Sequence, residues 1–150
     1  MNDEYYMSLA LAKAREAFDL EEVPIGCVIE YRGHVIGRGC NRRMTDKNVL
    51  SHAEIIAINE ACAFMGDWRL EECTLYVTVE PCPMCSGAIL QSRIPRVVFG
   101  TPNVKAGCCG SIYNLLNEPR FNHRCEITQG IMQSECSNIM KEFFRTFRRR

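Results

Sequence analysis

Apolar positions change their spacing several times along the chain, and each change predicts an element. Over residues 3–18, Tyr6, Leu9, Ala10, Ala14, Ala17 and Phe18 fall mostly on one face of a 3.6-residue repeat, the pattern of an amphipathic helix. Residues 25–30 and 34–39 are short apolar runs on either side of Tyr31-Arg32-Gly33, which predicts a β-hairpin turning near Gly33. Residues 52–65 suit a helix, with Ser51 before it as a cap. The β-branched run Thr74-Leu-Tyr-Val-Thr-Val79 reads as a buried strand. A helix over 83–92 follows, with Pro83 in its first turn. Arg96-Val-Val-Phe-Gly100 predicts another strand, 124–128 a third, and 131–147 a closing helix. Strands alternating with helices argue for an α/β fold with a mainly parallel sheet covered on both faces. Without internal repeats, low-complexity tracts or Pro/Ser linkers, residues 1–150 are expected to form a single domain.

Composition narrows the class. The 150 residues are 47% hydrophobic and 24% charged, which is globular rather than disordered. A chain of that length buries roughly two-thirds of its unfolded surface. Lys13 interrupts the one apolar N-terminal stretch, Tyr5 to Ala14, so no membrane span is expected. The acidic start, Met-Asn-Asp-Glu, lacks the basic region of a secretion signal, and a cytoplasmic protein is expected. In that reducing setting the ten cysteines read as thiols, most of them small buried hydrophobes such as Cys27, Cys62, Cys73 and Cys136. The zero net charge hides an asymmetry: residues 1–75 carry −5 and residues 76–150 carry +5. The last ten residues, Lys141 to Arg150, hold five basic groups and one acid. That tail is either a solvated helix end or a polyanion contact, and charge alone divides the two evenly.

Two segments carry chemistry: His52-Ala53-Glu54, and Pro81-Cys82-Pro83-Met84-Cys85 directly after the predicted strand. Cysteines at i and i+3 in the first turn of a helix project side by side, and the helix N-terminus favours both as thiolates. With His52 as third ligand, soft sulfur plus imidazole favours Zn²⁺ and leaves a fourth position for water. His34, His123, Cys108 and Cys109 are candidates for a fourth ligand that would close the site, and the sequence leaves this open. Glu54 argues for catalysis, because a carboxylate beside the metal can take a proton from water and pass it on. Cys-Pro-Met-Cys also fits a thioredoxin-like redox motif, but that reading gives His52 and Glu54 no role. The combination His-x-Glu with Pro-Cys-x-x-Cys agrees with the zinc nucleobase-deaminase signature.

His52-Ala-Glu54, Leu75-Tyr-Val-Thr-Val-Glu-Pro-Cys82-Pro-Met-Cys85-Ser-Gly-Ala, Ser92-Arg-Ile and Arg96-Val-Val-Phe-Gly resemble the bacterial tRNA-specific adenosine deaminases. The resemblance runs over nearly the whole chain, including Val23-Pro-Ile-Gly, Asn41, Asn122-His-Arg and Phe143-Phe-Arg. It implies a cytidine deaminase-like three-layer α/β/α fold with a mixed five-stranded sheet, a homodimer, and conversion of adenosine to inosine at the wobble position of a tRNA anticodon stem-loop. It places one Zn²⁺ per subunit on His52, Cys82 and Cys85, with Glu54 as proton shuttle. Asn41 would bind the flipped base, an apt use of an amide that both donates and accepts; without the resemblance, a turn residue ending the hairpin is an equal reading. Backbone around Ala53 and the Glu80–Cys82 turn would contact base and water. Asn103, Lys105, Phe144 and Arg145 match positions lining the RNA groove. Core packing competes for Phe143 and Phe144, and one of them could face each way. Arg42, Arg43 and Arg93 could meet phosphates or be ordinary surface arginines. Asn103 departs from the family, which commonly has an acidic residue there. Cys108 and Cys109 have no assigned role. Within the same chemistry the alternative is a deaminase of free guanine, cytosine or a nucleoside, which the pI of 6.8 mildly favours. A zinc-stabilised RNA-binding partner without catalysis is the reading from another class, and Glu54 argues against it.

Overall fold

The structure is a computed structural model that describes residues 2–147. Its elements are α1 (Asp3–Asp19), β1 (Gly26–Tyr31), β2 (His34–Cys40), α2 (Ala53–Met65), β3 (Cys73–Val79), α3 (Pro83–Gln91), β4 (Arg96–Thr101), β5 (Glu126–Gln129) and α4 (Gln133–Thr146). The strands form one sheet in the order β2-β1-β3-β4-β5. The sheet is mixed rather than mainly parallel: β1 is antiparallel to both neighbours, whereas β3, β4 and β5 run parallel. The tight Arg32-Gly33 turn, with both residues at positive φ, reverses the chain and sends β2 to the edge. α2 then crosses over to a strand parallel to β2, and β1 is caught between them.

Alternation along the strands sorts the core into two layers. Cys27, Ile29, Leu75, Val77, Val97 and Phe99 meet Ala53, Ala57 and Ala61 of α2 and Ile89 of α3. On the other face Val28, Tyr76 and Val98 meet Tyr6, Met7 and Ala10 of α1 and Cys136 of α4. Covered on both faces, β3 is buried at all seven positions, which explains its unbroken apolar run. Cys27, Cys73 and Cys136 lie in this core, Cys62 is half-buried, and all ten cysteines are free thiols. No helix among the described residues is long and apolar enough to cross a membrane.

The start of α1 is tied to the sheet through one carboxylate. Asp3 accepts two hydrogen bonds from Arg96 of β4, at 2.9 and 2.8 Å, and one from the Tyr76 hydroxyl at 2.8 Å. The Arg96 guanidinium, against partial burial, holds the Asp3 carboxyl below its ordinary range. A carboxyl whose folded pKa is depressed adds stability that is full above its unfolded value and is lost as pH falls through the folded one. After solvent screening the pair contributes about 1 kcal/mol. Asp3→Asn is therefore expected to lower Tm by about 2–4 °C at pH 7. The gap to the parent should close as pH falls below the carboxylate range, as thermal melts across pH will show.

Candidate active site

Two helix starts converge at one end of β3. His52 is the N-cap residue of α2, with extended backbone and no capping bond from its own side chain. Ser51 is therefore not the cap. Freed from capping, the imidazole turns to the neighbouring helix, where Cys82 is the N-cap residue of α3 and Pro83 opens its first turn. Gly39 of β2 lets α2 come this close: a Cβ there would lie 2.2 Å from the Ala53 carbonyl oxygen. The His52 Nδ1 lies 3.6 Å from Cys82 Sγ and 3.5 Å from Cys85 Sγ. Tetrahedral zinc with ordinary Zn–N and Zn–S bonds sets those donors roughly 3.6 Å apart, so the three residues fit the ion as they stand.

Among the described residues no other group of three His, Cys, Asp or Glu donors comes together, and no fourth donor joins this one. His34 is exposed at the start of β2, and His123 pairs its Nε2 with the Ile94 carbonyl. Cys109 contacts the Ser86 hydroxyl through sulfur, and Cys108 donates its backbone N–H to Pro81. The two candidate ligand thiols share a hydrogen bond and shift in opposite directions. A hydrogen bond from Cys85, with further help from His52, outweighs burial and lowers Cys82 to about 4. Cys85 is raised well above the thiol range because it donates that bond and is buried. Zinc binding would displace the remaining proton. The bond to Cys82 likewise raises His52.

Glu54 occupies the first turn of α2 and is 4% exposed. Burial pushes its carboxyl up to about 7, against a hydrogen bond from its own backbone N–H and with the Cys82 charge adding to the rise. It lines a pocket with His52, Ala53, Cys82, Asn41 and Asn103, walled by Val23, Ile25 and Val79. The pocket encloses about 140 Å³. A cavity of roughly 150 Å³ holds a benzene ring, so this one suits a flat heteroaromatic base without its sugar and phosphates. Asn41 sits at its rim with both ends of its amide engaged: Nδ2 donates to the Val23 carbonyl and Oδ1 accepts from the Arg43 N–H. One N–H and one lone pair remain for a ligand.

Outside the pocket runs a larger groove of about 730 Å³, sharing Val23, Ile25, Val79 and Asn103 with it. Lys105, Phe144 and Arg145 line this groove together with Val104 and Met140. Phe143 is buried against Phe18 and Phe147 while Phe144, 42% exposed and edge-on to Phe143 at 5.4 Å, lines the groove, so one phenylalanine serves the core and the other the surface. Arg43 reaches the pocket rim, but Arg42 pairs with Asp46 and Arg93 lies over Trp68. The Arg148–Arg150 part of the basic tail lies outside the described residues.

Besides Glu30, which accepts from the Gly33 N–H within its own hairpin, two buried carboxylates that brace loops at the site were not singled out by sequence. Glu22 accepts from the Met44 and Thr45 N–H groups and the Thr45 hydroxyl, bracing the loop after Asn41. Glu80 accepts from the backbone of Asn103, Cys109 and Ser111 and from the Ser111 hydroxyl. Burial raises the Glu80 carboxyl, but these four bonds together win and hold it below its ordinary value. Both acids partner residues distant in sequence, which no local motif encodes.

The model of the MafB19-like deaminase family matches residues 1–148. A tRNA-specific adenosine deaminase of Bacillus subtilis is 47% identical over 99% of this chain and 92% of its own length. A solved structure from a study of A-to-I editing by tRNA:A34 deaminases at the wobble position superposes with a TM-score of 0.87 at 40% identity, covering 90% of this chain and 98% of that one. A guanine deaminase from Bacillus subtilis superposes with a TM-score of 0.67 at 30% identity, covering 100% of this chain and 96% of that one.

Proposed function

Since the chain belongs to the MafB19-like deaminases, with tRNA-specific adenosine deaminases as close relatives, we propose that it hydrolyses adenosine to inosine at the wobble position of a tRNA anticodon, releasing ammonia. The observation that carries this reading is a group of three donors able to hold a metal ion, two of which line one base-sized pocket together with a buried carboxylate. His52, Cys82 and Cys85 would hold the zinc, which when bound lowers the pKa of water towards neutrality. Glu54 takes the proton of the attacking water on its carboxylate oxygen and gives it to the ring nitrogen beside the amino-bearing carbon. As the water oxygen bonds to that carbon, the carboxylate takes the second proton from the added hydroxyl and delivers it to the amine, which leaves as ammonia when the carbon–nitrogen bond breaks and the carbonyl forms. A carboxyl raised to about 7 gains and loses protons readily at neutral pH, as both halves of this duty require. The walls of Val23, Ile25 and Val79 exclude water from the base, and Asn41 at the rim is placed to orient it.

The groove supports a polynucleotide substrate over a free base, because a pocket for a lone base needs no extension past Lys105, Phe144 and Arg145. The reading includes one deaminase domain over 1–150, one Zn²⁺ per subunit, action on tRNA in the cytoplasm, and a homodimer. Exposed Phe64, Trp68, Tyr113 and Phe121 supply apolar surface for a second copy.

Incubating zinc-replete protein with an arginine tRNA bearing adenosine at the wobble position, then sequencing for A-to-G change, tests the function. Free adenosine, guanine and cytosine run in parallel. Inosine at that one site with the free compounds untouched is expected; ammonia from a free base beside unedited tRNA would move the enzyme to nucleobase deamination.

Two variants probe the groove. Removing residues 148–150 leaves the Phe147 packing in place and is expected to weaken stem-loop binding. The dependence of log affinity on log salt should become shallower by about 2. An unchanged slope would show that the tail is only a solvated end. Asn103→Asp restores the acid common in the family without removing the bond its side chain accepts from Ala106. It is expected to shift the preference between matched RNA and DNA hairpins, and equal ratios for variant and parent would rule that role out.

A further inference from the structure

The residues that line the groove beside the pocket sit partly on a segment with almost no regular structure of its own. Between β4 and the short 3-10 turn at Leu115–Asn117, residues 102–114 form only an isolated bridge, Cys109 to Asn114, and Val104 at the outer end is mostly exposed. Cys108 and Cys109 bury the middle of this loop, whereas its ends carry the exposed Val104 and Tyr113. Much of its hydrogen bonding goes to the chain just before Cys82. The Glu80 N–H donates to the Thr101 carbonyl, and the Cys108 N–H donates to the Pro81 carbonyl. The Glu80 side chain then takes Asn103 N–H at 3.1 Å and the Ser111 hydroxyl on one oxygen, and Cys109 and Ser111 N–H, each at 3.0 Å, on the other. Both oxygens are saturated, and the residue is 3% exposed. Gly107 is packed onto the same group: a Cβ there would lie 2.4 Å from the Glu80 carboxyl carbon and Oε2.

We propose that Glu80 is a positioning residue whose carboxylate clamps residues 103–111 to the Pro81-Cys82 segment, and thereby sets how tightly the enzyme grips the nucleotides flanking the target base. Asn103 and Lys105 ride on the clamped loop, while Cys82 lies two residues from the clamp on the other side. The Glu80 carboxylate is thus the side chain that joins the wall of the base pocket to the loop lining the groove, beside the backbone bond from Cys108 to Pro81. Glu80 lines the base pocket, but its carboxylate, with both oxygens engaged by the loop, touches no substrate in this scheme and transfers no proton. The clamp is a property of the protein; its effect on RNA rests on the deaminase function proposed above.

Hydrogen–deuterium exchange on the zinc-loaded protein, together with steady-state kinetics on an anticodon stem-loop, decides both halves. Glu80→Gln keeps the length of the side chain but presents an amide N–H₂ to donors. Ser111→Ala removes one bond of four and is the milder variant should Glu80→Gln fail to fold, and Ser111→Thr keeps the hydroxyl. In Glu80→Gln and Ser111→Ala, exchange should quicken about tenfold or more within 103–111 and not in β1 or β3. KM for the stem-loop should rise about tenfold with kcat and zinc content little changed, and Ser111→Thr should restore the parent KM. Unchanged exchange in 103–111 overturns the clamp. Faster exchange at unchanged KM overturns its effect on RNA, as does a loss confined to kcat or zinc content. A parent protein that leaves the stem-loop unedited instead refutes the function, and exchange still decides the clamp.

Discussion

Glu54→Ala leaves a folded, zinc-loaded protein whose turnover on an anticodon stem-loop falls by about 10²–10⁴-fold, the range set by loss of a positioned acid–base group. Stability should not fall with it. Glu54 is buried and its charge is disfavoured there, so removing the carboxyl relieves a desolvation penalty while the three candidate ligands stay in place. Glu54→Gln keeps the volume and should retain stem-loop affinity while losing turnover to the same extent. Metal analysis, a thermal melt and single-turnover kinetics on the same preparations separate the possibilities. Activity within tenfold of the parent at full zinc occupancy would remove the proton shuttle from the mechanism.

Stripping zinc, or substituting Cys85 by alanine, is expected to take turnover to background. For the stripped protein, added Zn²⁺ restores activity; for Cys85→Ala it does not, because two donors cannot hold the ion in the arrangement that activates water. Stability should fall by a smaller, concentration-dependent amount. At zinc about 100-fold above its Kd the linkage is about 2.7 kcal/mol, or roughly 5–10 °C in Tm for a chain of this size. The apo protein is expected to keep its fold because the two core layers against the sheet do not include the candidate ligands His52 and Cys82. A redox protein built on Cys82 and Cys85 would behave differently: chelation would spare it and oxidation would alter it. Activity that survives zinc removal would return that alternative to the front.

The local elements were legible because their signals are local. Apolar spacing placed the first helix at 3–18 against the observed Asp3–Asp19, and the third at 83–92 against Pro83–Gln91. The strand expected from 74 to 79 runs Cys73–Val79, and the one from 96 to 100 runs Arg96–Thr101. The edges drifted most in the last strand and helix, expected from 124 and 131 but starting at Glu126 and Gln133. There the Gly130 to Met132 turn, with Met132 at positive φ, takes residues that the apolar pattern assigns to the helix. The His-x-Glu and Cys-x-x-Cys segments were legible for a similar reason: each is a contiguous piece of one helix start.

Three things depended on the folded chain. Strand direction is a matter of pairing between distant segments, so alternating elements suggested a mainly parallel sheet where a hairpin had turned β1 against both neighbours. Proton sharing between the cysteines depends on their mutual distance and on burial, so identical residues in one motif came out with opposite shifts. The roles of Glu22 and Glu80 depend on loops 23 and 31 residues further along the chain, and an isolated glutamate carries no periodicity or spacing to announce such a partner. The amino-acid sequence alone thus brings out the helices, most of the strands, and the two short segments that carry His52, Glu54, Cys82 and Cys85, because those follow from contacts within a few residues. The pocket that brings His52 to Cys82, the groove beside it and the clamps that hold its walls exist only once residues far apart in the chain exclude water together, since hydrogen bonds and desolvation act through space rather than along the backbone.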